Sequence, residues 1–163
     1  MYELEFAFVW RNLRRLGVAE SSLRDAAQEV FIVVHRRLPE FEGRAPLRSW
    51  LYSIVSRVAR QHRRWVKRKG LAESHEPDEL ADTRGPSPHH AAETSQALEV
   101  LLELLSRLDD DKREAFILSD LEEMSAPEIA IALEVNLNTV YSRIRAARQQ
   151  LRLELSLREA GGT

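Results

Sequence analysis

The chain contains no cysteine, which removes disulfide staples and thiolate metal ligands together. It also has no apolar run near the ~20 residues that a membrane-spanning helix needs. Its amino terminus lacks the cationic-then-apolar pattern of a secretory signal. A protein of the cytoplasm, not inserted in a membrane, is the expectation. Glycine and proline are scarce, six each in 163 residues, and most of them fall where helical periodicity stops. Histidines are few, and His75, His89 and His90 show neither helical ligand spacing nor a carboxylate set, so no metal and no cofactor are expected. No Asp, Glu and His constellation at acid–base spacing lies in a basic zone, which weighs against a nuclease or any other enzyme.

What is present is apolar enough to fold. Hydrophobic residues make up 44%, which excludes wholesale disorder. The net charge of −2 conceals a strong asymmetry. Residues 1–70 hold 15 Lys and Arg against 7 Asp and Glu, a surplus of eight positive charges. Residues 71–136 hold 4 against 17, and residues 137–163 hold 5 against 2. Two basic zones around an acidic middle imply two contacts with a polyanion.

The stretch 125–151, SAPEIAIALEVNLNTVYSRIRAARQQL, carries the sharpest pattern. Ser125 and Glu128 stand at capping-box spacing, and Ile129, Ala130 and Leu133 follow as an apolar stripe. Glu134-Val135-Asn136 breaks the period, and Asn136 or Asn138 can cap a second helix. That helix places Val140, Ile144, Ala147 and Leu151 on one face. Asn138, Tyr141, Ser142, Arg145, Arg148 and Arg152 share the other, with Arg143 on its flank. Helix, tight turn and a helix split between apolar and polar-basic faces make a helix-turn-helix. Forked Arg donors on such a face suit guanine edges in a major groove.

The remaining chain reads as helices throughout, so the fold class is all-α. Helices are expected over 2–16, with Leu4, Phe8, Leu13 and Leu16 among the apolar positions, and over about 22–38. On the latter Ala27, Val30, Phe31, Val34 and Leu38 gather on one side, while Asp25, Gln28, Glu29, Ile32, His35 and Arg36 gather on the other. That polar stripe around Ile32 is a docking face or a solvated one; periodicity leaves both open. A loop at 39–46 leads to a long helix over 46–69, expected to bury Leu47, Leu51, Ile54, Val58 and Trp65. Its far side carries Ser49, Ser53 and Ser56, then Arg57, Arg60, Arg63, Arg64, Lys67 and Arg68, a run fit for a phosphate backbone. Periodicity vanishes over 70–94, which reads as a flexible acidic linker. Helices at 95–107 and from Lys112 to about Leu121 then support the helix-turn-helix, with Asp109-Asp110-Asp111 as a cap, and the tail frays after Leu155. Two small domains, 1–69 and 95–163, result.

Laid out in this way, the chain resembles an extracytoplasmic-function sigma factor of the bacterial sigma-70 family. DAAQEVFIVVHRRL (25–38), FEGRAPLRSWLYSIVSRVARQHRR (41–64) and LDDDKREAFILSDLEEMSAPEIAIALEVNLNTVYSRIRAAR (108–148) carry the likeness. The resemblance implies a non-enzymatic subunit that directs core RNA polymerase to promoters. It implies that Asp25, Gln28, Glu29 and Ile32 meet the clamp helices of the largest polymerase subunit. It assigns Phe41, Arg44, Ser49, Arg57, Arg60, Arg64 and Lys67 to the single-stranded −10 element. Asn138, Thr139, Tyr141, Ser142, Arg143, Arg145 and Arg148 go to duplex −35 DNA. An anti-sigma protein is a further implied partner. A stand-alone helix-turn-helix regulator is the alternative that the residues leave open. Three departures matter: Arg57 stands where many members carry Asn in the −10 helix, and Glu123 and Glu134 stand where relatives often carry Gly. If either backbone is left-handed, Glu there costs about 1 kcal/mol.

Overall fold

The computed structural model describes residues 2–72 and 88–161, and every regular element among them is helical. The helices are α1 (Tyr2–Arg15), α2 (Leu23–Arg37), α3 (Leu47–Ala72), α4 (Pro88–Ser106), α5 (Asp110–Phe116), α6 (Ala126–Leu133) and α7 (Leu137–Gly161). Most of the expected linker lies outside the described residues, His75 included, and α4 starts at Pro88 rather than at residue 95. The chain forms two compact units, one of Met1–Phe41 with Ile54–Leu102 and one of Glu42–Ser53 with Glu103–Thr163.

In the first unit α1 stops for a stated reason. Gly17 takes φ 91°, and the amides of Gly17 and Val18 donate back to the Arg14 and Leu13 carbonyls, a Schellman closure that a side chain at Gly17 would strain. Phe8, Val9 and Leu13 of α1, with Leu16 just past its end, join Leu23, Ala26, Ala27 and Val30 of α2 and Ile54, Val55, Val58 and Ala59 of α3 as the buried core. Each of the fully buried Val and Leu side chains contributes about 1.5–3 kcal/mol. Leu4 and Leu38, by contrast, are exposed.

Two expectations for α3 are overturned. Trp65 is 57% exposed and Leu47 is 40% exposed. The helix has 26 residues against 15 in α2, a length of about 39 Å against about 22 Å, so its ends outrun the helices that could cover them. Ser49 and Ser56, expected on the open side, are buried. Tyr52 and Val55 are buried too, so the covered band of α3 is wider than one stripe.

In the second unit Asp109 caps α5 by accepting from the Lys112 amide at 2.9 Å. After Phe116 the helix widens into a π turn, Ile117–Leu121. That extra residue per turn lets the neighbours Ile117 and Leu118 both reach the core, while Phe116 is only half-buried. The capping box of α6 closes as its spacing implies, Glu128 N to Ser125 Oγ at 3.3 Å and Ser125 N to Glu128 Oε1 at 3.4 Å. Asn136, rather than Asn138, caps α7, accepting from the Thr139 amide at 2.9 Å.

Both departures from glycine prove left-handed, Glu123 at φ 53° and Glu134 at φ 57°. The α7 helix does not fray after Leu155 but runs to Gly161. Arg158 pairs with Glu103 of α4 at 2.9 Å, and Arg107 joins Glu103 to Glu154 at 3.1 and 2.7 Å. The two arginines hold the Glu103 carboxyl below the usual carboxylate range, Arg158 more than Arg107.

Candidate nucleic-acid and partner interfaces

On α7 the helical period does what the sequence implies. Val140, Ile144, Ala147 and Leu151 are buried, and Asn138, Tyr141, Ser142 and Arg145 are exposed. Arg145 makes no hydrogen bond or ion pair among the described residues. The arginines at the edges of the face differ. Arg148 grips Asp120 with two contacts, Nε to Oδ2 at 3.0 Å and Nη2 to Oδ1 at 2.6 Å. Arg143 reaches Asp111 at 3.5 Å. Hydrogen bonding to Arg148 holds the Asp120 carboxyl below the ordinary range, and Asp120 in turn raises the guanidinium of Arg148.

The buried back of the second unit is held by Arg113, whose guanidinium donates to the Leu105, Ser106 and Leu108 carbonyls at 2.8, 3.3 and 3.0 Å. The Leu105 and Ser106 carbonyls end α4 and that of Leu108 follows it, so a buried charge closes a helix terminus.

The −10 candidates on α3 divide. Arg57, Arg64 and Lys67 are exposed, Arg60 and Arg63 are half-buried, and Ser49 is buried with its hydroxyl donating to the Glu128 carbonyl at 2.9 Å. Its neighbour Arg48 meets Glu122 at 2.6 Å. In the loop before α3, Phe41 is half-buried and the exposed Arg44 pairs with Glu42 at 2.9 Å. Gly43 between them takes φ 74°, a turn that favours glycine.

All four docking candidates on α2, Asp25, Gln28, Glu29 and Ile32, are exposed. The structure adds residues that periodicity did not find. His62 of α3 stands 3.2 Å from Glu29, and Gln61, His62 and Trp65 line a cleft of about 530 Å³ with the four candidates. On the other side of Gln28 and Ile32 lies an open apolar groove of about 1160 Å³, floored by Phe6, Trp10 and Phe31. Phe6 stacks on both of the other rings, with centroids at 5.7 and 6.0 Å. The only sequence signal for it was a surplus of aromatics on α1, which cannot say which side they take.

Comparison with known proteins decides the family. Residues 1–69 match the family Sigma-70 region 2, and residues 98–151 match Sigma-70, region 4. The RNA polymerase sigma factor NccH of Alcaligenes xylosoxydans xylosoxydans is 33% identical over 140 residues, 85% of this chain and 75% of that protein. The chain belongs to the sigma-70 family of RNA polymerase sigma factors. Within it the likeness extends to the ECF group: ECF RNA polymerase sigma factor SigC of Mycobacterium tuberculosis is 30% identical over 149 residues, 88% of this chain and 75% of that one. The solved structure of CnrH in complex with the cytosolic domain of CnrY shares the fold, with a TM-score of 0.68 and 23% identity over 96% of this chain and 83% of CnrH.

As a sigma factor the chain recognises promoters and initiates transcription with RNA polymerase. The region 2 match over residues 1–69 disfavours a stand-alone helix-turn-helix regulator, which needs no such domain. Among the described residues no helix is long and apolar enough to cross a membrane.

Proposed function

We propose that this sigma factor is a dissociable specificity subunit, without catalytic chemistry of its own, working in the cytoplasm. Residues 1–69 bind core polymerase and the −10 element, residues 70–94 connect, and residues 95–163 bind the −35 element. The observation that carries this reading is the outward face of α7. Its apolar back is wholly buried, while Asn138, Thr139, Tyr141, Ser142 and Arg145 stand at the open or half-open end of a capped helix. A good bidentate base contact there discriminates by about 1–3 kcal/mol. Arg143 and Arg148 support this set from its edges, each paired with an acid.

On the first domain Phe41, Arg44, Ser49, Arg57, Arg60, Arg64 and Lys67 serve the unpaired −10 strand. Of these Arg57, Arg64 and Lys67 have the exposure that phosphate contact requires, and Ser49, being buried, serves through the backbone geometry of α3. Asp25, Gln28, Glu29 and Ile32 meet the clamp helices of the largest polymerase subunit. The relative CnrH, 30% identical over 146 residues, is solved in complex with CnrY, and an anti-sigma protein is proposed here as well.

The test is in vitro transcription with core polymerase on a randomised promoter pool. Enrichment of two separated elements at a fixed spacing is expected. Enrichment of a single duplex motif, bound equally well without polymerase, overturns the reading.

A further inference from the structure

Three of the α7 arginines, Arg143, Arg145 and Arg148, are assigned to the −35 element, and the structure separates them. At about 100° per residue, Arg143 and Arg148 lie on opposite edges, each about 70° from the buried centre line, and Arg145 lies about 130° from it, well out on the open face. Both edge arginines are engaged by acids, Arg143 by Asp111 at 3.5 Å and Arg148 by Asp120 at 3.0 and 2.6 Å. The second pair is the stronger. It is a two-pronged, charge-assisted contact in which the planar fork of Arg148 matches both carboxylate oxygens.

Asp120 sits in the π turn between α5 and α6, 28 residues away in sequence. The pair therefore ties the reading helix to the segment that introduces the helix-turn-helix. The side chain of Asp120 is only 25% exposed. With Nε and Nη2 committed to Asp120, Arg148 would have to release it to turn the same two-pronged fork on a phosphate. That would leave a largely covered carboxylate without its cation, held by the Ser119 hydrogen bond alone, beside the negative charge of the DNA, so the closed pair is favoured on both counts.

We propose that Asp120 and Arg148 form a positioning pair that sets the orientation of α7, and that Arg148 touches neither base nor phosphate in the promoter complex. The proposal rests on the reading of α7 as the −35 helix. It makes Asp120 a residue of promoter specificity although it lies on another element.

The experiment uses holoenzyme reconstituted from core polymerase and the full chain. Competition binding is measured over a range of salt, on a promoter with its preferred −35 element and on variants with single −35 substitutions. Arg148→Ala should lower discrimination between these promoters by about three- to tenfold at several positions at once, the range set by loss of part of a 1–3 kcal/mol base contact. The log–log salt slope should stay unchanged. The exchange Asp120→Arg with Arg148→Asp should recover discrimination to within about twofold of the wild type, because a reversed pair still ties the two elements. Arg148→Lys, which keeps the charge but not the fork, should lose discrimination almost as fully as Arg148→Ala. It also serves as the second variant if the exchange does not fold.

A salt slope shallower by about 0.9 for Arg148→Ala would mean that Arg148 neutralises a phosphate. Rescue by lysine, with failure of the charge exchange in a folded protein, would mean the same, and either overturns the proposal. Arg145→Ala in the same assay separates the two levels. If it leaves discrimination unchanged, the −35 assignment of α7 fails. If it lowers discrimination at one position while Arg148→Ala changes nothing, only the positioning pair fails.

Discussion

The α3 and α7 helices are both basic and both carry a polar face, yet they manage charge in opposite ways. The exposed −10 candidates of α3, Arg57, Arg64 and Lys67, have no acid partner among the described residues. On α7 the edge arginines are neutralised by Asp111 and Asp120, and the guanidiniums that stay free among the described residues, Arg145 and Arg152, lie farther out on the open face. Free cations act through a long-range, sequence-blind attraction to phosphate. A free fork such as Arg145 among amide, hydroxyl and phenol groups suits the short-range reading of base edges. The difference teaches that a count of arginines says little about what a helix does; their ion pairs decide it.

The largest expected effect breaks the α3 side of this contrast. Replacing Arg57, Arg64 and Lys67 together by Ala should make the log–log salt slope of holoenzyme binding to promoter shallower by about 2.1, at about 0.7 for each single-strand phosphate. The mutant would then lose about eighteenfold less affinity than the wild type between 50 and 200 mM salt, by the same relation. Salt-dependent competition binding measures it, and an unchanged slope would remove the phosphate role from α3. The next effect sharpens the α7 side. Arg145→Ala should cost about 1–3 kcal/mol at one −35 position and little elsewhere. Transcription from promoters with single −35 substitutions reads this directly, and a uniform loss across all positions would place Arg145 on the backbone instead.

Much of this was legible in the sequence because it depends on short spacing. The capping box of Ser125 and Glu128, the Asp109 cap, and the buried row Val140, Ile144, Ala147, Leu151 all follow from steps of three and four. What escaped was set by distance along the chain. Asp120 and Arg148 are 28 residues apart, and Glu29 and His62 meet across two helices, so no local pattern announces either pair. The burial of Ser49 and the exposure of Trp65 escaped for a related reason. They depend on where neighbouring helices begin and end, and the period of α3 is the same along its whole length. The π turn at Ile117–Leu121 escaped because it changes the period itself.

Two glutamates test the second unit without touching its charge pattern. Glu134 closes α6 in the left-handed region with ψ 45°, and Val135 N donates to the Ala130 carbonyl at 3.1 Å. Any residue with a Cβ pays for that backbone, so Glu134→Gly should stabilise the protein by about 1 kcal/mol. Glu123→Gly should act similarly at φ 53°. Denaturant titration checks both, as a higher midpoint with unchanged slope. The −35 discrimination should not move, since neither substitution alters the ion pairs of α7.

The smallest effect separates the two helices by pH. The Arg148 contact depresses the folded pKa of Asp120, so this carboxylate contributes stability that is present in full above its unfolded value of about 3.9. The contribution is lost as pH falls below that value through the depressed folded one. The pair is partly exposed, with Arg148 at 48%, and solvent screening limits it to about 0.2–1 kcal/mol. Asp120→Asn should therefore cost that amount near neutral pH, and the gap from the wild type should close as the pH is lowered below about 3.9. Urea titrations across this range measure it. The triple α3 variant carries no comparable pair, so its stability difference from the wild type should stay flat over the same window. A gap that closes for α3 but not for Asp120→Asn would invert the contrast between the two helices.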